Sequence, residues 1–154
     1  MTKIIKLIYD RYENDIGFLS INEYSNIENE YISLDNINNK PIKKDRKLNI
    51  YTWGVKKHTC DKCDIIFDAT LLTAKINRDV RGLNGKNDIV KQSIINHPKF
   101  EIMMESIILT NVEENEPSTI GFVCNYGKHR SVAFAELLKE LYYNNSNITH
   151  IGLK

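Results

Sequence analysis

Apolar positions along this chain fall into short runs with strand spacing, set apart by polar stretches, and into two longer segments with helical spacing. Ile4 to Tyr9 predicts a first strand, and Ile16 to Ile21 and Glu30 to Leu34 are further strand candidates. The stretch from Asn36 to Pro41 has the composition of a turn. Leu48 to Thr52 predicts a strand entering Trp53-Gly54, and Asp64 to Asp68 a short buried strand ending in a carboxylate. Asp88 to Leu109 predicts a helix with an apolar face at Ile94, Ile95, Ile102, Met103, Ile107 and Ile108. His97-Pro98 should break it, because the residue before proline disfavours the helical region. Glu113 to Ser118 reads as a polar loop, Ile120 to Val123 as a strand, residues 131–143 as an amphipathic helix and Ile148 to Leu153 as a final strand region. Strands alternating with helices predict an α/β fold: a single domain with a mixed or largely parallel sheet, flanking helices and a strand–loop–helix anion site. In such sheets ligands sit beyond the C-terminal ends of the strands, where Asp68 and Cys124 are both expected and would face one cleft.

Composition narrows the function classes. The 154 residues are 42% hydrophobic and 27% charged, with a net charge of +1, so no global field recruits nucleic acid. No apolar run approaches the roughly 20 residues that a membrane helix needs, and the N-terminus reads as a strand, not a signal peptide. Three cysteines, two of them three positions apart, make a poor disulfide framework and point to a reducing, cytoplasmic setting. Lys40, Lys43, Lys44, Arg46 and Lys47 form a basic run. It is either a solvated face or a patch that contacts phosphate or RNA backbone, with Lys43, Lys44, Arg46 and Lys47 as the candidate RNA contacts.

The chemistry concentrates between Gly121 and Ser131. A strand, a tight loop and a helix direct backbone N–H groups and the positive end of the helix dipole at one spot. Lys128, His129 and Arg130 add side-chain charge there, Arg130 has the fork geometry for a phosphate, and Ser131 is placed to cap the helix or donate to a ligand. A phosphate group is therefore the expected occupant.

The residues from Thr52 to Arg130 resemble the C-terminal domain of the RapZ family of RNase adapter proteins. That family carries G-C-T-G-G-[QK]-H-R-S-V, matched here by Val123-Cys-Asn-Tyr-Gly-Lys-His-Arg-Ser-Val132. Its S-F-G-x-K and A-D-x-x-F-D-x-R-x-L are matched by Thr52-Trp-Gly-Val-Lys56 and Cys63-Asp-Ile-Ile-Phe-Asp-Ala-Thr-Leu-Leu72. Its L-R-x-L-T-G-x-D is similar to Val80-Arg-Gly-Leu-Asn-Gly-Lys-Asn87. The resemblance divides the chain into an uncovered, strand-rich section at 1–47 and a RapZ C-terminal-like domain at 48–154. It implies a domain that binds a small regulatory RNA and an amino-sugar phosphate, glucosamine-6-phosphate, and that contributes to self-association, hence a homo-oligomer. Full-length members carry a P-loop nucleotide-binding domain, and no G-x-x-x-x-G-K-[ST] occurs here. Carried over by position, the ligand residues are Asp68, Arg81, Asn125, Tyr126, Gly127, Lys128, His129, Arg130 and Ser131. This chain departs from the family at Asn125-Tyr126, where the motif has Thr-Gly, and at Thr70, where it has Arg. The phosphate end of the site looks retained and the sugar end altered.

Two other constellations compete. Cys124, five intervening residues and Arg130-Ser131 satisfy C-x5-R-[ST], the phosphate loop of cysteine-dependent phosphatases. There Cys124 would attack as a thiolate, Arg130 would hold the phosphate and Asp68 would be the nearest general acid. His58, Cys60 and Cys63 offer half of a zinc site without a partner pair, against a reading as plain reduced cysteines. The expected function is non-catalytic binding of a phosphorylated small molecule, or of RNA backbone, at the 124–131 loop, with no cofactor and no membrane partner. The alternative is a cysteine-dependent phosphatase.

Overall fold

The computed structural model describes residues 2–9, 16–21, 42–70, 82–98 and 100–153. The candidate strand at Glu30 to Leu34, the turn at Asn36 to Pro41, Lys40 and Arg81 lie outside those residues. Among the described residues six strands form one sheet: β1 (Lys3–Tyr9), β2 (Ile16–Ile21), β3 (Asn49–Gly54), β4 (Ile65–Asp68), β5 (Thr119–Cys124) and β6 (Asn147–His150). Their order across the sheet is β2-β1-β4-β5-β3-β6. Only the β1–β2 pair is antiparallel, and every other neighbouring pair is parallel. The sheet is thus mixed and largely parallel, as the alternation of strands and helices predicts. β1, from the section before residue 48, pairs with β4 inside this same sheet.

The sheet has two unlike faces. Ile5 and Leu7 of β1, Ile65 and Phe67 of β4, Ile120 and Phe122 of β5 and Ile50 of β3 point into the main core. Helices α1 (Asp88–Ile95), α2 (Phe100–Ile107) and α4 (Arg130–Leu141) meet them there, and the one-turn helix α3 (Glu113–Asn115) comes between α2 and α4 in the chain. Phe67 stacks on Phe122 with ring centroids 5.2 Å apart, and Phe122, Phe134 and Phe100 continue that aromatic contact into α4 and α2. The opposite face is covered by the β3–β4 connection. Trp53, Cys63 and Val123 are buried there with Tyr51, Cys60, Ile66 and Ile151 packed around them.

The helical segments depart from expectation in one informative place. The helix breaks between Ile95 and Phe100, as His97-Pro98 requires. It does not end at Leu109: a π-helical turn at Ile108–Val112 carries it into α3. The apolar spacing continues past Leu109 through buried Val112, and Glu113, read as loop, faces inward instead of outward. The chain turns out at Glu116, whose φ of 48° is left-handed.

Glu113 holds the N-terminal edge of the sheet together. Its side chain is only 4% exposed. One oxygen accepts from the Lys43 backbone N–H at 3.1 Å and from the Tyr143 hydroxyl at 2.8 Å, and the other accepts from Arg46 Nη2 at 2.7 Å. Burial pushes the Glu113 carboxyl up. The hydrogen bonds from Arg46, Tyr143 and Lys43, with the Arg46 charge, outweigh that and leave it below its ordinary value.

Candidate functional site

β3, β4 and β5 run parallel, so the loops after them leave from the same edge of the sheet. The β3–β5 ladder continues past the strands: Val55 N–H donates to the Cys124 carbonyl at 3.0 Å and Lys56 N–H to the Asn125 carbonyl at 3.2 Å. This ties the turn at residues 55–57 to the loop at residues 125–129. The approach is close. A Cβ on Gly54 would sit 2.3 Å from the Tyr126 carbonyl carbon, and Gly127 has a φ of 70°, which favours glycine. Gly85 closes over the other side. Its N–H donates to the Lys128 carbonyl at 2.8 Å, and a Cβ there would meet the first turn of α4.

At the base of this loop Cys124, 3% exposed, accepts from Gly127 N–H at 3.3 Å, and its sulfur lies 3.2 Å from the Ser131 hydroxyl. Burial pushes the Cys124 thiol up. The Ser131 hydroxyl, the Ser131 and Gly127 N–H groups and the Arg130 charge outweigh burial and bring it below its ordinary value. A hydroxyl and two backbone N–H groups thus surround the sulfur at the base of the loop. Ser131 is not the helix cap, because α4 starts at Arg130 with His129 in the cap position. Ser131 is fully buried, and its hydroxyl is turned to the thiol. Arg130 donates from Nη1 to the carbonyls of Ala69 at 3.1 Å and Thr70 at 3.0 Å, so it anchors the end of β4 to this loop.

Asp68 and Cys124 both end parallel strands, but they belong to opposite faces. Asp68 pairs in register with Val123. Side chains alternate along a strand, so Asp68 shares the face of Ile66 and Val123, whereas Cys124 reaches α4 with Phe122. The Asp68 carboxylate accepts from Thr70 N–H at 2.9 Å in a local turn. The expectation of one cleft holding both groups is corrected by this register, which the sequence does not display.

Lys43, Lys44, Arg46 and Lys47 precede β3, whereas the 124–131 loop follows β5, so the parallel strands separate them by a full strand length, roughly 20 Å for six residues. Arg46 is bound to Glu113, and Lys43 lies 3.9 Å from Glu116. The structure does not bring this run to the loop. It brings other cations instead: Lys56 and Lys57, whose ammonium groups lie 5.1 and 6.0 Å from the centre of the Tyr126 ring. Sequence reasoning gave Lys56 no role, although it stands in the T-W-G-V-K segment that carries the resemblance.

His58, Cys60 and Cys63 do not assemble a metal site, and among the described residues no group of three or more His, Cys, Asp and Glu is placed to hold a metal ion. Cys63 is buried beside Trp53, with its thiol pushed up to about 12 by burial and by neighbouring Cys60, the reverse of what a thiolate ligand needs. His58 lies against Gly152. His150 takes a structural part: its Nδ1 is 2.6 Å from the Thr52 hydroxyl and its Nε2 2.8 Å from Glu136, which ties β3, β6 and α4 together. Among the described residues no helix is long and apolar enough to cross a membrane.

Comparison with known proteins agrees with this architecture. A nucleotide-binding protein of Ruminiclostridium cellulolyticum is 26% identical over 98 residues, which cover 58% of this chain and 34% of that protein. A nucleotide-binding protein of Cereibacter sphaeroides is 29% identical over 100 residues, covering 59% of this chain and 33% of that protein. The match thus spans about a third of the length of these curated relatives. The model of the RapZ C-terminal domain matches residues 46–153, from the start of β3 through β6 and including every loop of the candidate site. With most of its length matched in this way, the chain belongs to the RapZ C-terminal domain family.

Proposed function

We propose that this domain is a binding module that takes the phosphate group of a phosphorylated small molecule at the loop from Asn125 to Ser131. The observation that carries the reading is the treatment of Cys124. Gly127 N–H and the Ser131 hydroxyl converge on its sulfur, and their interactions outweigh burial and hold the thiol below its ordinary value. A loop that favours negative charge on a buried sulfur offers the same field to a phosphate oxygen. Lys128, His129 and Arg130 belong to that loop and to the first turn of α4. Membership of the RapZ C-terminal domain family supports a regulatory or binding module.

The test is a thermal-shift titration with inorganic phosphate and sugar phosphates, each protein compared with its own unliganded melting temperature. Charge-assisted hydrogen bonds are worth roughly 1.5–3 kcal/mol, so Arg130→Ala should weaken binding about tenfold or more. Equal shifts in wild type and variant, or none in either, would remove the proposal.

A second reading rests on the same lowered thiol. As a phosphatase, the Cys124 thiolate would attack phosphorus and the bond to the leaving oxygen would break. That oxygen would need a proton, and water would then release the phosphate from sulfur. Asp68, the expected acid, belongs to the other face of the sheet, so binding is the better supported reading. Steady hydrolysis of an aryl phosphate that disappears in Cys124→Ser would reverse this preference.

A further inference from the structure

Tyr126 stands where the family motif has glycine, so its side chain is an addition to that motif. Its ring is 61% exposed, although it directly precedes Gly127, whose N–H reaches the Cys124 sulfur at the base of the loop. The ring is held at the rim by backbone, since Gly54 packs against the Tyr126 carbonyl and the 55–57 turn is hydrogen bonded to Cys124 and Asn125. Lys56 and Lys57 lie against the ring at 5.1 and 6.0 Å, and Val55, in the same turn, is 47% exposed. An exposed aromatic ring flanked by two ammonium groups, next to a loop that favours negative charge, combines a stacking surface with backbone-phosphate contacts.

We infer that the phosphorylated ligand of this loop carries a planar base that stacks on Tyr126: a nucleotide, with its phosphate in the 125–131 loop and the Lys56 and Lys57 ammonium groups, which lie over the ring, close to both. This rests on the phosphate site proposed above and names its ligand class. A sugar phosphate lacks the flat face that Tyr126 presents to solvent, and an amino sugar would bring a cation towards two lysines. Base-to-aromatic stacking does not depend on base identity, so purine and pyrimidine nucleotides should both bind.

The experiment is a calorimetric titration of the whole chain with inorganic phosphate, ribose 5-phosphate, adenosine monophosphate, uridine monophosphate and a 5′-phosphorylated single-stranded tetranucleotide. Wild type is compared with Tyr126→Ala and Tyr126→Phe. Both mononucleotides are expected to bind about tenfold more tightly than ribose 5-phosphate. Tyr126→Ala should remove that advantage and Tyr126→Phe should keep it. An equal or tighter tetranucleotide supports the same chemistry and names a strand end as its source, and a weaker one names the free nucleotide. Mononucleotides no tighter than ribose 5-phosphate, or an advantage that survives Tyr126→Ala, would overturn the inference while leaving the phosphate site standing. Absence of binding by every phosphate would remove both.

Discussion

At the N-terminal edge of the sheet, Arg46 is paired with a buried carboxylate and Lys43 lies near a second one. At the C-terminal edge, Lys56 and Lys57 arrive from one chain segment and meet Asn125 and Tyr126 of another. The first cluster is contiguous in sequence and conspicuous there. The second is assembled by strand register from residues about 70 positions apart, and it surrounds a loop that favours negative charge. Adjacency of basic residues in sequence thus says little about their roles in space, because Arg46 is taken up by inward Glu113 and Lys43 lies near Glu116. If the proposed function holds, substitutions at the two edges should separate stability, set at the N-terminal edge, from binding, set at the C-terminal edge.

The largest effect is expected from Glu113→Ala. Removing one partner of a buried ion pair costs about 3–5 kcal/mol, read as a lower urea midpoint, while phosphate affinity of the folded protein should stay within twofold. Gly54→Ala should affect both properties, because its Cβ would overlap the Tyr126 backbone. Overpacking of this kind costs about 1–3 kcal/mol, and phosphate binding should fall with it as the loop is displaced. If Gly54→Ala destabilised the fold and left binding intact, the loop would not depend on its contact with β3.

Much of the fold was legible because it rests on local signals. The apolar runs gave five of the six strands within one or two residues, and Ile16 to Ile21 matched β2 at both ends. The proline break and the helix after the anion loop were equally local. What escaped depends on register and on facing. Whether Asp68 and Cys124 share a face is decided by the pairing of Asp68 with Val123, which no local pattern encodes. Glu113 looked like loop because its neighbours are polar, yet it lies at the end of a continuing helix and turns inward to Arg46. The strand–loop–helix around residues 124–131 was legible from its residues alone, whereas the approach of Lys56 and Lys57 was not.

Acid should act mainly on the N-terminal edge. The Glu113 carboxyl lies below its ordinary value of 4.5. The stability it contributes is therefore complete above the unfolded pKa and is lost as pH falls through the lower folded value. Urea midpoints measured from pH 6 to pH 3 should fall in wild type, with a shallower fall in Glu113→Gln. An identical decline in both would show that this carboxylate is not the group responsible. The smallest effect sharpens the contrast most. Replacing Lys43, Lys44 and Lys47 together by glutamine should change phosphate affinity less than twofold at moderate salt, since charges a strand length away are beyond the Debye length of about 8–10 Å.

The most direct measurement is a titration of the nitrogen-15-labelled chain with inorganic phosphate, followed by amide chemical shifts. The account predicts saturable shifts concentrated at Asn125 to Ser131 and at the apposed Val55 to Lys57, with Lys43 to Lys47 unmoved. Shifts centred on Lys43 to Lys47, or none at Gly127 and Ser131 at saturating phosphate, would contradict it.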